Sequence, residues 1–147
     1  MFVLLLILLA YLINRLNTNK SVIKPIKFIK KVSAHQKAIT EIEKLKEEKA
    51  AVSEDQKSYY TRLTMILRQY IAERFNFDAM EMTSSEIIER LRGENEGAIE
   101  EMVSLFRTAD LVKFAKYSVL ANENDQNLVN ALSFINDTKK EEEKPVK

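Results

Sequence analysis

Few residues in this chain have the chemistry to form a site, and two of them stand out by their surroundings. Asp110 and Lys113 lie inside its most apolar stretch, flanked by Phe106, Ala109, Leu111, Val112 and Phe114, where an unpaired charge would be costly. Two readings follow. Either they pair with Arg68, Arg74 or a backbone terminus and fix how helices pack, or they mark a partner-docking surface together with Arg107 and Lys116. The second reading is binding chemistry, carried by charge and apolar area, with no bond made or broken.

The remaining inventory excludes most reactions. His35 is the only histidine, cysteine is absent, and the only glycines are Gly93 and Gly97. Dinucleotide, P-loop, zinc-protease and calcium-loop motifs therefore cannot be built. His35 stands in the first turn of an expected helix without companion ligands, which suits a surface or capping role better than a metal. Tyr59, Tyr60 and Tyr70 could form a stacking platform, but their helical spacing with Leu63 and Leu67 favours core packing. Glu41, Glu43, Glu47 and Glu48 read as a solvated face with intrahelical partners such as Lys44 and Lys46. No catalytic, cofactor-binding or metal-ligating set emerges, so the expectation is a non-enzymatic protein without a cofactor. An enzyme working through carboxylates, lysines and hydroxyls stays as an alternative. Another is a nucleic-acid binder of helix-turn-helix type, but its second helix would begin with Glu96, Glu100 and Glu101, the wrong sign to face phosphates. No nucleic-acid partner is expected.

The elements that must position these residues begin with Met1 to Ile13, an uncharged run followed by Arg15, Lys20, Lys24, Lys27, Lys30, Lys31 and Lys37. No acid precedes Glu41, so the first forty residues carry about +7 and the rest roughly −6. A signal peptide wants positive charge before its apolar run and small residues at a cleavage site after it. Here the lysines follow, and the exit reads Asn14, Arg15, Leu16, Asn17. Residues 1–16 are expected to be a membrane helix with the N-terminus outside and the following chain in the cytoplasm. About 24 Å of helix falls short of a core of about 30 Å, so the span is expected to start before Met1.

Residues 17–32 form a basic linker. Lys20, Lys24, Lys27 and Lys31 follow helical spacing and, with Lys30, are candidates for contact with an anionic leaflet; Pro25 argues against one continuous helix. The bland alternative is a solvated linker whose lysines only set topology.

Residues 33–138 read as an all-α bundle of four or five helices, in keeping with two prolines, two glycines and abundant Lys, Glu, Leu, Ala, Ile and Met. Ser33 is expected to cap a first helix with Ile39, Ile42 and Leu45 inward. Ser53 is expected to cap a second, longer helix that Asn76 ends in the left-handed conformation. Thr83 to Glu86 has the capping-box pattern and starts a short helix stopping near Gly93. A fourth helix from about Gly97 changes its apolar face near Thr108, which predicts a kink or break. Asn122 and Asp125 open the last helix, with Leu128, Leu132 and Ile135 inward. The expected core is Leu63, Leu67, Tyr70, Ile71, Ile88, Leu91, Met102, Phe106, Val112 and Leu132. Residues 139–147 have nothing to bury and are expected to be disordered.

Tyr59-Tyr60, Arg68 through Phe75, Glu81-Met82-Thr83 and Ala109 through Tyr117 carry a likeness. Over about His35 to Asn136 the chain resembles the cytoplasmic C-terminal helical domain, of unknown function, of BatD-like membrane proteins encoded in aerotolerance (Bat) operons of Bacteroidetes. The resemblance implies an adaptor in a stress-linked membrane assembly, with a MoxR-type AAA ATPase or von Willebrand A-type proteins as partners. In that family an extracytoplasmic β-rich region precedes the membrane helix; this chain lacks one and is expected to be a fragment or a reduced member. It also has Asn76 where the family often has glycine, and asparagine tolerates the same backbone conformation.

Overall fold

The computed structural model describes Tyr11 and residues 32–51, 55–93 and 96–140. The chain divides into Met1–Lys31 and Val32–Lys147. The expected membrane helix, the lysines of the linker and residues 141–147 of the tail lie outside the described residues, apart from Tyr11, which is helical and exposed. Among the described residues no helix is long and apolar enough to cross a membrane.

The second unit is all-helical, with five helices and no strand among its described residues. Helix α1 is Ala34–Ala51, α2 Gln56–Phe75, α3 Ser84–Leu91, α4 Glu96–Phe114 and α5 Ala121–Asp137. Local chemistry sets most of the ends. Ser33 Oγ accepts from the Gln36 N–H at 3.2 Å, closing the first turn of α1. The described cap of α2 is Asp55, whose carboxylate accepts from the Ser58 N–H at 3.0 Å; Ser53, expected in that role, lies outside the described residues. Asn76 ends α2 at φ 58 and ψ 45, the left-handed conformation expected of it, and its N–H reaches the Ala72 carbonyl.

The capping box of α3 is complete. The Thr83 N–H donates to Glu86 Oε2 at 2.7 Å and the Glu86 N–H to Thr83 Oγ1 at 3.3 Å. These bonds hold the Glu86 carboxyl below the usual range, the Thr83 backbone bond most of all. Its contribution is therefore present above the ordinary carboxylate pKa and fades as pH falls through the lowered one. Thr83→Ala removes the two bonds of the Thr83 hydroxyl, from the Glu86 N–H and to Glu86 Oε2 at 2.8 Å, leaves the Thr83 N–H bond in place, and is expected to cost about 1 kcal/mol, read as a lower urea midpoint with an unchanged slope.

The break expected in α4 is absent, and α5 starts one residue earlier than expected. Helix α4 runs unbroken through Thr108. It packs against α2, α3 and α5, so its apolar residues spread around the helix to meet three neighbours and Thr108 itself is buried. Helix α5 starts at Ala121 rather than at Asn122, and no side chain caps it. Gln56 of α2 instead grips the preceding link, donating from Nε2 to the Val119 carbonyl at 2.7 Å and accepting the Val119 N–H at 2.8 Å.

Helices α1 and α2 are antiparallel neighbours, joined by a Lys37 to Glu73 ion pair at 2.8 Å and one between Glu48 and Arg62. Helix α5 packs against α4 and α1 and runs in the same direction as α2 across the bundle, where two tyrosines of α2 reach it. The Tyr60 hydroxyl donates to Asn124 Oδ1 at 2.7 Å and accepts from Asn127 Nδ2 at 2.9 Å. Ten residues on, the Tyr70 hydroxyl meets the Ile135 carbonyl at 3.1 Å and Thr138 Oγ1 at 2.9 Å. Of the expected core, Leu63, Leu67, Tyr70, Ile71, Leu91, Met102, Phe106 and Val112 are buried. Ile88 and Leu132 are only partly so, and Ile87, Leu105, Ala131 and Phe134 fill the centre. In α1 the inward stripe is Ala38, Ile42 and Leu45, with Ile39 at its edge.

Candidate functional site

The four charged residues of the expected docking surface fall on the second half of α4 and its exit. Lys113 Nζ lies 3.4 Å from Asp110 Oδ1, one turn apart on the same helix. Arg107 and Lys116 are exposed and make no ion pair among the described residues. The arginines expected as partners for Asp110 are engaged elsewhere. Arg68 donates to the carbonyls of Ala79, at 3.3 Å, and Met82, and to Ser84 Oγ at 3.3 Å, while its guanidinium lies 5.7 Å from the Phe106 ring centre. Arg74 donates to the Thr138 carbonyl. Each satisfies carbonyls left open by a link or a helix end, a demand that Asp110, half-exposed and already paired, does not make.

Around these charges the structure exposes apolar side chains that sequence reasoning had counted into the helix interior or passed over. Phe114 is 81% exposed, Leu120 70%, Tyr117 44% and Leu111 40%. All four belong to the end of α4 and the link to α5, the corner at which the chain turns from one helix to the next. Lys116 takes φ 53, and the N–H groups of Ala115 and Tyr117 both reach the Leu111 carbonyl, at 2.8 and 3.3 Å. The Lys113 ammonium stands 5.5 Å from the Phe114 ring centre, and the Tyr117 hydroxyl lies 3.5 Å from Glu123 Oε2 on α5. A signal was available: at 100° per residue, Phe114 falls roughly 140° from the middle of the stripe made by Met102, Leu105, Phe106, Ala109 and Val112.

The corner lies at the end of α2 where Gln56 and Tyr60 grip α5. Helix α1 starts at the other end, where His35 Nε2 meets Asn136 Oδ1 at 2.8 Å and Lys37 meets Glu73. The exposed apolar side chains thus lie about the length of α2, some 30 Å, from the start of α1.

Other candidates carry less. A cleft of about 280 Å³ opens between α1 and α2, floored by Ala34, Ala38, Met65, Ile66 and Tyr70, with the Lys37 to Glu73 pair on its rim. Glu41 and Gln69 complete its lining. Among the described residues no three of His, Asp and Glu gather as metal ligands. Tyr60 and Tyr70 are buried in the core; Tyr59 is also buried and stacks edge-on against Tyr60 with ring centres 5.3 Å apart. In the glutamate run, Glu41 takes Lys44 at 2.7 Å, whereas Glu48 crosses to Arg62 of α2, whose hydrogen bond holds its carboxyl below the usual range.

No family model matches this chain, and neither a curated protein nor a solved structure matches it.

Proposed function

We propose that this protein is a membrane-anchored, non-enzymatic interaction module that works through the corner made by Leu111, Phe114, Tyr117 and Leu120. The observation that carries the reading is that corner. A phenylalanine 81% exposed and a leucine 70% exposed belong to the same short stretch of chain as Lys113 and Lys116. The other aromatic side chains described in the domain are buried in the core or, like Phe75 and Phe77, half-buried against it. Apolar area gathered at one place with charges about it is what an association surface offers. The charge step after Ile13 supports an anchor in the cytoplasmic membrane with the helical domain on the cytoplasmic side. The anionic leaflet meets the linker lysines Lys20, Lys24, Lys27, Lys30 and Lys31 on this reading. The likeness to BatD-like domains nominates a stress-linked assembly, with a MoxR-type ATPase or a von Willebrand A-type protein as its cytoplasmic member.

Two measurements test the reading. Alkaline carbonate washing is expected to leave the protein in the membrane pellet, and its release into the supernatant would contradict the anchor. Phe114→Ala is expected to change stability by less than about 0.5 kcal/mol because the ring touches little. The same variant should reduce the complex extracted in mild detergent to a single chain of 17.1 kDa. A complex of unchanged size would contradict the assignment of the corner.

A further inference from the structure

We infer that residues 115–120, the link between α4 and α5, are a strap that opens as a unit while the helices stay folded, and that Gln56 is the positioning residue that pins it. The inference concerns how the corner is held and does not depend on what covers it. Of residues 114–120 only Val119 is buried. A segment with so few buried side chains lies at the low end of local stability and opens before the helices do.

Three features show that the closed strap is held from outside. Lys116 stands at φ 53, a left-handed conformation that disfavours any residue with a Cβ. No side chain caps α5. Phe114 and Leu120 stay exposed, although apolar side chains left to themselves turn from water. Against these, the Gln56 amide closes both main-chain groups of Val119, donating to its carbonyl at 2.7 Å and accepting from its N–H at 2.8 Å. A neighbouring strand would supply the same pair of bonds. One turn further along α2, the Tyr60 hydroxyl holds Asn124, whose N–H closes on the Leu120 carbonyl at 3.0 Å. Gln56 and Tyr60 thus grip successive parts of the chain, the strap and the first turn of α5. Release of Val119 lets Lys116 abandon the left-handed conformation, and the N–H groups of Ala115 and Tyr117 then leave the Leu111 carbonyl with it.

Hydrogen exchange followed residue by residue by NMR, on the full chain in detergent micelles, tests this. In Gln56→Ala the amides of Ala115, Tyr117 and Val119 are expected to exchange together, about tenfold faster than in the parent, as the loss of two hydrogen bonds implies. Those of Leu67 and Phe106, buried within α2 and α4, should keep the parent's rates. Acceleration at Val119 alone, or at no amide, would overturn the inference, because the strap then holds itself. Equal acceleration at Leu67 and Phe106 would overturn it too, since Gln56 then supports the whole bundle. Gln56→Glu separates the hydrogen bonds from side-chain bulk. A carboxylate cannot donate to the Val119 carbonyl, whereas a protonated carboxyl both donates and accepts. At neutral pH this variant should exchange as fast as Gln56→Ala. At about pH 4, near the carboxyl pKa, it should regain part of the protection that the parent shows at the same pH. No recovery on acidification would overturn the role of Gln56 as the pin.

Discussion

Replacing Arg68 with alanine is expected to cost the domain about 3 kcal/mol, more than loss of any single surface contact. The guanidinium is a staple. It ties the carbonyls of Ala79 and Met82 and the Ser84 hydroxyl to α2 while lying against the Phe106 ring. Its removal leaves two part-buried carbonyls of the link between α2 and α3 without their donor, at about 1–3 kcal/mol each, and forfeits a cation–π contact of about 0.5–1 kcal/mol. For a domain near one hundred residues the melting temperature should fall by roughly 12–20 °C. Arg68→Lys keeps the charge but not the planar fork that reaches several acceptors, so it should recover only part of the loss. Thermal unfolding of the two variants beside the parent checks this, and equal melting temperatures for all three would show that the link holds itself.

Tyr60→Phe is the second large effect, expected at about 2–4 kcal/mol although it deletes one oxygen atom. The hydroxyl is the shared partner of Asn124 and Asn127, both buried, and without it an amide oxygen and an amide N–H are stranded. Stranded buried polar groups cost about 1–3 kcal/mol each. Changing both asparagines to leucine in the Tyr60→Phe background should recover much of the loss, because the site then asks for no hydrogen bonds. The pH dependence carries a sign. Burial pushes the Tyr60 hydroxyl up to about 12, partly offset by the Asn127 bond, while an unfolded tyrosine ionises near 10. The folded domain therefore favours the protonated form. That stability is fully present below pH 10 and is lost as pH rises toward 12. Urea midpoints at pH 9 and pH 11 should differ in the parent and differ less in Tyr60→Phe. Tyr59 and Tyr70, raised chiefly by burial as well, keep part of the dependence.

These two residues also mark where sequence reasoning stops. Asn76 and the Thr83 to Glu86 box were legible because their partners lie within four residues and the side-chain chemistry admits few alternatives. The all-helical architecture and most of the core followed from three- and four-residue spacing. Tyr60 was placed in the core, but its bonds to Asn124 and Asn127 span more than sixty residues, and no local pattern announces them. Sequence reasoning offers Arg68, Arg74 or a backbone terminus as partners for Asp110 and Lys113; the open carbonyls that Arg68 serves become visible only once the link is folded. The break expected at Thr108 came from assuming one buried face for α4, which has three helical neighbours. Within the candidate site the charges Arg107, Asp110, Lys113 and Lys116 were legible. The exposure of Phe114, Tyr117 and Leu120 was not, since it follows from where α4 ends relative to α2 and α5.

The central claim is that Leu111, Phe114, Tyr117 and Leu120 are covered when the protein works. Hydroxyl-radical footprinting tests it most directly, comparing the full chain in its own membranes with the chain purified as single copies in detergent. The account predicts that these four side chains are oxidised several-fold more slowly in membranes, while Met65 and Met80, exposed elsewhere on the domain, react at the same rate in both. Equal oxidation of the four in membranes and in detergent would contradict it.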